Sequence, residues 1–329
     1  MTFIHNQQKH ILSDFISGQL LAYPHLKKHE TLPLVYNRHH DSSKIPILSG
    51  GGSGHEPAHI GYVGEGMLTG AIYGTLFYPP TVDEIAVSIR FLDKGKGVFV
   101  IVKNFDADLA HFRKAIATVR AEGYNVKYIL SYDDISIEPK KHFKIRGRGL
   151  AGTILLHKIL GALAQRGASL DELEQVGFEL STQIATIGFA TKSATLPRAT
   201  LPLFELEENS IYYGIGIHGE EGYRTVPFTS SEELANEIVN KLKLHFHWEK
   251  GEPFILLVNN LGTTTDLEMG IFLNDLKQLF DIQGLSLPLI KSGRFMTSLD
   301  MAGISVTLCK MTDKQWLDYL LVPTDAYAW

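Results

Sequence analysis

The sequence predicts an α/β protein of two domains. Short apolar runs alternate with segments of helical spacing along nearly the whole chain. Runs such as 97–102 (Gly-Val-Phe-Val-Ile-Val) are apolar throughout, as strands covered on both faces are. Strands that alternate with helices imply α/β layers. One stretch, 190–202, breaks the rhythm with Pro197, Pro202 and many small polar residues.

The elements follow in order. Residues 45–49 (Ile-Pro-Ile-Leu-Ser) read as a short buried strand that opens into a glycine-rich loop at 50–57. Residues 97–102 are a strand, 109–120 a helix and 125–130 a strand. A well-buried helix covers 152–166, and a further helix runs from 170 to 187, ending near Gly188. The break at 190–202 sets the expected boundary, with one domain over 1–189 and a second over 190–329. The second domain reads as strand 211–217, helix 231–243, strand 254–258, helix 266–281, strand 303–309 and helix 313–321.

Composition narrows the class. Of 329 residues, 44% are hydrophobic and 20% charged, which is ordinary for a globular protein. A net charge of −5 argues against non-specific nucleic-acid binding. No run of eighteen apolar residues exists to span a membrane, and the first residues lack a charged and then apolar leader. The single cysteine, Cys309, lies in an apolar run and reads as a core residue of a reduced, cytoplasmic protein.

Three segments carry chemistry. The run Gly214-Ile-Gly-Ile-His218-Gly-Glu220 sets a histidine among small residues at the end of an expected strand. A neutral imidazole is a nucleophile as well as a base, and flanking glycines let another molecule approach. The run alone leaves open whether His218 acts or is incidental. The second segment is Gly50-Gly-Gly-Ser-Gly-His55-Glu-Pro57. Its N–H groups could face a small polar ligand, but it lacks the lysine of a phosphate-binding loop and the spacing of a dinucleotide fingerprint. His55 to His59 formally matches His-Glu-x-x-His, yet Pro57 keeps His55 off a helix face, so no metal is assigned. The third segment, Lys103-Asn-Phe-Asp106-Ala-Asp108, stands at the end of the strand 97–102, where open α/β sheets bind ligands. There Asp106 reads as a helix cap, and Asp108 as either a cap or a site residue. Asp133 and Asp134 read as a strand-to-helix turn, and His245 and His247 as surface and packing residues.

Together with Val-Asn-Asn-Leu-Gly (258–262) and Met-Thr-Ser-Leu-Asp-Met-Ala-Gly (296–303), these runs resemble the substrate-binding subunit of the dihydroxyacetone kinases. The resemblance extends nearly from end to end. It implies two α/β domains of that family's type, a homodimer, and dihydroxyacetone held covalently through its carbonyl as a hemiaminal on His218. It places Gly52, His55, Lys103 and Asp108 around the triose, with His55 and Asp108 handling protons at the rim of the site. It implies no cofactor in this chain, because the family's nucleotide belongs to a separate subunit or module. On this expectation the chain is not a complete kinase by itself.

The departures from the kinase pattern matter as much. Tyr78 and Pro79 stand where the kinases have Thr-Ser, and Asp106 and Glu221 add negative charge. In the stretch Arg146-Gly-Arg148-Gly, one arginine is displaced. The capturing centre is intact while its rim has changed, and that looks more like the family's non-phosphorylating paralogue. The paralogue is a co-activator that binds dihydroxyacetone and docks on a TetR-type transcription regulator. The alternative is a kinase substrate-binding subunit that presents the triose to a nucleotide-binding subunit. Neither reading calls for direct nucleic-acid or membrane contact.

Overall fold

Two six-stranded sheets organise the chain in a computed structural model that describes residues 3–137, 147–197, 199 and 201–329. Each sheet is the centre of its own compact unit. The first unit takes residues up to Ser131, then Thr153–Ser181 and Asp318–Trp329; the second takes Tyr132–Gly152 and Thr182–Leu317.

In the first unit the elements are α1 (Ile11–Ala22), β1 (Leu26–Lys28), β2 (Leu34–Asn37), β3 (Ile47–Ser53), β4 (Gly70–Leu76), α2 (Val82–Leu92), β5 (Val98–Lys103), α3 (Asp106–Ala121), β6 (Val126–Ser131), α4 (Thr153–Gln165) and α5 (Leu170–Ser181). The sheet order is β1-β2-β4-β3-β5-β6, and β4, β3, β5 and β6 are mutually parallel. The apolar runs of β5 are buried along their whole length, as a central parallel strand requires. On one face, Val98, Val100 and Val102 pack with Phe112, Ile116 and Val119 of α3 and Ile85 and Ile89 of α2. The start of α2 is fixed by a reciprocal cap, in which the Thr81 side chain and the Glu84 carboxylate each satisfy the other's backbone N–H.

The second unit has β7 (Ile184–Lys192), β8 (Ser210–Tyr213), β9 (Arg224–Pro227), α6 (Ser231–Phe246), β10 (Pro253–Asn260), α7 (Asp266–Ile282), β11 (Ser286–Gly293) and β12 (Ala302–Lys310). Its order is β11-β10-β12-β7-β8-β9; only β10 and β11 run parallel. Helices α6 and α7 cover one face through Leu234, Ile238, Leu242, Phe272, Leu276 and Phe280. Helix α8 (Gln315–Leu321) follows. Cys309 is fully buried, and burial pushes its thiol up.

Several expectations change. The helix expected over 170–187 stops at Ser181, and 184–192 is a central strand; a short apolar run does not tell helix from buried strand by periodicity. The boundary expected at 189/190 therefore falls inside β7, and the chain passes between units more than once. The proline-marked stretch lies within the second unit. The strand expected over 211–217 ends at Tyr213, because Gly214 takes a left-handed φ of 76°. The strand expected over 45–49 runs on to Ser53, so Gly50, Gly51 and Gly52 pair with β4 and are not loop. Helix α3 starts at Asp106, which puts Asp108 in its first turn. Among the described residues no helix is long and apolar enough to cross a membrane.

Candidate functional site

The candidate residues fall into two groups, one in each unit. In the first unit they gather at the carboxyl ends of β3 and β5. A Cβ on Gly51 would stand 2.9 Å from both Asp108 Oδ1 and Lys103 Nζ, so the ammonium and the carboxylate converge on the bare face of that glycine. Only glycine leaves room for them. Lys103 is the last residue of β5, and its Nζ lies 5.7 Å from the centre of the Phe105 ring. Asp108 sits near the amino end of α3, where the helix field favours a negative charge.

His55, Lys103 and Asp108 are all buried, at 0, 1 and 4% exposure. The expectation that His55 and Asp108 stand at the rim is thereby corrected. His55 follows directly on a chain held against sheet backbone, and its ring lies on Phe77, with centroids 5.0 Å apart and planes 20° from parallel. The turn after β4 covers this group. Phe77 takes a left-handed φ of 59° and donates its N–H to Ser53 O at 2.9 Å. A Cβ on Gly52 would meet the N–H of Tyr78 at 2.7 Å. The backbone of Phe77 and Tyr78 thus closes on Gly52, Pro79 lies against Gly74, and Tyr78 is 71% exposed.

Below this group the chain is pinned. Both oxygens of Glu56 accept from the Gly54 N–H, at 3.1 and 3.0 Å. Burial raises the Glu56 carboxyl, against the backbone hydrogen bonds and the charge of Lys103. His59 and His157 meet edge to face with ring centroids 5.1 Å apart, both fully buried. Burial holds both imidazoles uncharged, with Lys103 adding to the effect, and His157 is brought down to about 3. Residues 55–59 form turns and not a helix, so the formal zinc pattern lacks the helix that would align its two histidines. Among the described residues no group of three or more metal-ligating side chains comes together.

In the second unit, His218 sits in the hairpin between β8 and β9. Gly216 N–H bonds to Glu220 O at 3.1 Å and Gly219 N–H to Gly216 O at 3.2 Å, closing a tight turn around it. Gly214 and Gly219 supply the left-handed positions, with φ of 76° and 82°. The carboxylate of Glu220 folds back over the turn. One oxygen accepts from His218 N–H at 2.9 Å, and the other lies 2.6 Å from His218 Nδ1. In the neutral ring, an Nδ1 proton donated to Glu220 would leave the lone pair on Nε2. Burial would raise the Glu220 carboxyl, but the hydrogen bond and charge of His218 outweigh it and hold it down to about 2.

An arginine braces this hairpin. Arg148 Nη2 donates to Gly214 O at 2.7 Å and to Ser136 Oγ at 3.0 Å, while its Nε donates to the Asp134 carboxylate. Arg148 and Asp134 are both buried. A Cβ on Gly216 would come within 2.0 Å of Glu220 Oε2 and 2.6 Å of Arg148 Nη1. The glycine is therefore a steric requirement of the orienting pair. Ile215 anchors the loop in a small core with Ala190, Ala194, Leu261 and Met301. The Asn-Asn and Met-Thr-Ser runs build that platform: Asn259 bonds Met296 O, Phe295 N–H and Met296 N–H, and Asn260 bonds Thr264 O and Gly262 N–H.

The sequence reading missed Glu220 as a partner of His218, although the Gly-His-Gly-Glu spacing carries the signal. It also read Asp134 as a turn residue, whereas Asp134 is the counter-charge of Arg148, and Asp133 accepts from Leu150 and Gly152 N–H at 2.9 Å each. Of the arginines at 146 and 148, Arg146 lies outside the described residues. Asp106 and Glu221 are exposed.

The Dak1 domain model matches residues 17–328 of this chain. The chain belongs to the Dak1 family. It is 49% identical to the DhaKLM operon coactivator DhaQ of Lactococcus lactis, over 99% of both chains. It is 41% identical to the dihydroxyacetone-binding subunit DhaK of the PTS-dependent dihydroxyacetone kinase from the same organism, over 98% of both. Among solved structures, the dihydroxyacetone kinase operon co-activator Dha-DhaQ superposes with a TM-score of 0.92 at 49% identity, covering 96% of this chain and 97% of that one. Both relatives are Dak1-type chains of similar length, so the family alone does not separate a co-activator from a kinase subunit.

Proposed function

We propose that this chain binds dihydroxyacetone through His218 and serves as a ligand-sensing co-activator of a transcription regulator for a dihydroxyacetone operon. The observation that carries the reading is the Glu220–His218 pair on a glycine hairpin, together with the closer likeness to DhaQ than to DhaK.

The chemistry follows from that pair. His218 Nε2 attacks the carbonyl carbon, the C–N bond forms, and the carbonyl π electrons move to oxygen. The positive charge that develops on the ring faces the Glu220 carboxylate. An acid then protonates the alkoxide, giving a hemiaminal with no loss of water. A reversible covalent bond adds affinity that non-covalent contacts to a triose cannot reach, and it selects for a carbonyl. His55 and Asp108 take the proton-handling roles that the resemblance assigns them, and Lys103 and Gly52 the ligand-contact roles. The partner is a regulator of the TetR type, the protein works as a homodimer, and it acts in the cytoplasm.

A second reading, the substrate-binding subunit of a kinase, is favoured by one observation. Lys103 and Asp108 converge on Gly51, and the buried His55 follows two residues after the end of β3; these residues would suit phosphoryl transfer as well as capture. Against it stand Pro79, which lacks the hydroxyl and N–H of a serine, and the exposed carboxylates Asp106 and Glu221, which oppose an incoming phosphate.

The deciding experiment supplies the chain with dihydroxyacetone and, in turn, a nucleotide-binding kinase subunit or the regulator. We expect no phosphorylation and tighter regulator binding in the presence of the triose, since a ligand shifts a partner only by a difference between ligated and free states. Steady turnover on the order of 1–100 per second would establish the kinase subunit instead.

A further inference from the structure

The residues of the first unit that follow α8 lie along the chain that leaves His55, and they are held there by contacts that the capture chemistry does not use. Ala328 N–H donates to Gly61 O at 3.0 Å, and Glu65 N–H donates to Asp325 Oδ1 at 2.6 Å. Two glycines exist to admit them. A Cβ on Gly61 would meet Ala328 Cβ at 2.6 Å, and one on Gly64 would meet Ala326 N at 2.5 Å. Between these notches, the ring of Tyr327 stacks on Tyr23 just past α1, with centroids 3.8 Å apart and planes 5° from parallel. Burial, with the charges of Tyr23 and Glu56, pushes the Tyr327 phenol up, so the ring lies within electrostatic reach of Glu56, the neighbour of His55.

Helix α4 holds both layers. His157 packs on His59 of the loop, and the next residue, Lys158, donates its Nζ to Val322 O at 2.7 Å, although its side chain is fully buried. A hydrogen bond from this buried ammonium fixes where residues 322–329 begin their path.

We propose that residues 322–329 are a strap that fixes the 55–66 loop, with Asp325 and Tyr327 as positioning residues for His55. The strap is not part of the site chemistry; it limits the conformations from which His55 acts. A misplacement of about 1 Å at a reacting group is enough to slow chemistry by up to roughly 100-fold. The proposal rests on the reading that His55 handles a proton during triose capture.

The test uses the full chain with Tyr327→Ala, Tyr327→Phe, Asp325→Ala and Asp325→Asn, and a variant lacking residues 323–329. Amide hydrogen exchange reports the loop directly and does not depend on the function. We expect exchange at 57–66 to rise at least about 10-fold in Tyr327→Ala and in the shortened chain, with β10 and β12 unchanged. Capture of dihydroxyacetone should slow about 10-fold, and its pH profile should shift, as it would when the proton donor is misplaced. Phe at 327 keeps the stack and Asn at 325 keeps the acceptor, so both should restore parent behaviour. Parent-like exchange at 57–66 and a parent-like capture profile in Tyr327→Ala would overturn the strap. If the shortened chain fails to fold, the point variants still decide. Failure of the parent itself to capture the triose would instead sink the functional reading, and the exchange arm would still judge the strap.

Discussion

The two groups of candidate residues are held in place by different forces. In the second unit, the His218 hairpin is fixed by charge: Glu220 grips the imidazole and its own turn, and the Arg148–Asp134 pair ties Gly214 to residues 134–136. In the first unit, the glycine strand end is fixed by exclusion. Backbone presses on Gly50, Gly52 and Gly74, and two buried, uncharged histidines lie under the loop. The contrast fits the tasks proposed for the two groups. A nucleophile needs one nitrogen oriented and its developing charge balanced, which a carboxylate provides. A proton-handling group gains from a dry, closely packed setting in which its protonation is set by few neighbours.

The contrast can be broken most severely at Asp134. Asp134→Ala leaves the Arg148 guanidinium buried without its counter-charge, and loss of one partner of such a pair costs about 3–5 kcal/mol. Chemical denaturation should register the loss, with little dependence on salt, because water does not screen a buried pair. A cost under about 1 kcal/mol would mean that the brace is ornamental.

The steric side is probed by Gly74→Ala. A Cβ there would stand 2.0 Å from Tyr78 O and 2.4 Å from the Pro79 carbonyl carbon, so the covering turn must move. Overpacking of this kind costs about 1–3 kcal/mol, and the Phe77–His55 stack should loosen with it. Gly270, on α7, is the control. Nothing lies within 4 Å of its added Cβ, and Gly270→Ala should stabilise the helix by up to about 1 kcal/mol. If the two variants behave alike, close approach is not what the glycines of the first group are for.

Acid should separate the two regions next. His59 and His157 are kept uncharged in the fold, while in the unfolded chain they titrate near 6.5. As pH falls below 6.5 the unfolded state takes up protons that the fold refuses, so each costs about 1.4 kcal/mol per pH unit. For His157 the loss runs from 6.5 down to about 3. Glu220 behaves later. Its carboxyl is held at about 2 against 4.5 unfolded, so its contribution is whole above 4.5 and is lost between 4.5 and 2. Between pH 6.5 and 4.5, the first unit should therefore soften while the hairpin keeps its hold. Unfolding free energies across that range should fall more gently in His157→Phe than in the parent; equal slopes would remove the buried pair from the account.

Much of this was legible beforehand. The α/β class and the covered strand, expected at 97–102 and found at 98–103, follow from apolar runs, whereas His55 and His218 stand out through glycine spacing together with the family resemblance. What the sequence hid has physical reasons. β7 is apolar and short enough to read as the tail of a helix. β9 and β11, at the two edges of their sheet, are largely exposed or half-buried and give no apolar signal. The Arg148–Asp134 brace is fourteen residues apart in sequence, and nothing local pairs them. His55 is covered by the Phe77 ring, on a turn whose left-handed φ no aromatic residue advertises.

The central claim is that His218, oriented by Glu220, forms a bond to the carbonyl carbon of dihydroxyacetone. Carbon NMR of the protein with dihydroxyacetone labelled at its carbonyl tests it directly. The account predicts that the bound carbon leaves the carbonyl region for that of tetrahedral carbons, with one equivalent per chain and a mass increase of one intact triose. His218→Ala should abolish the signal, and Glu220→Gln should slow its appearance roughly 10–100-fold, as loss of an imidazole's orienting partner does elsewhere. A bound triose whose carbonyl signal stays in place, or a tetrahedral signal that persists in His218→Ala, would contradict it.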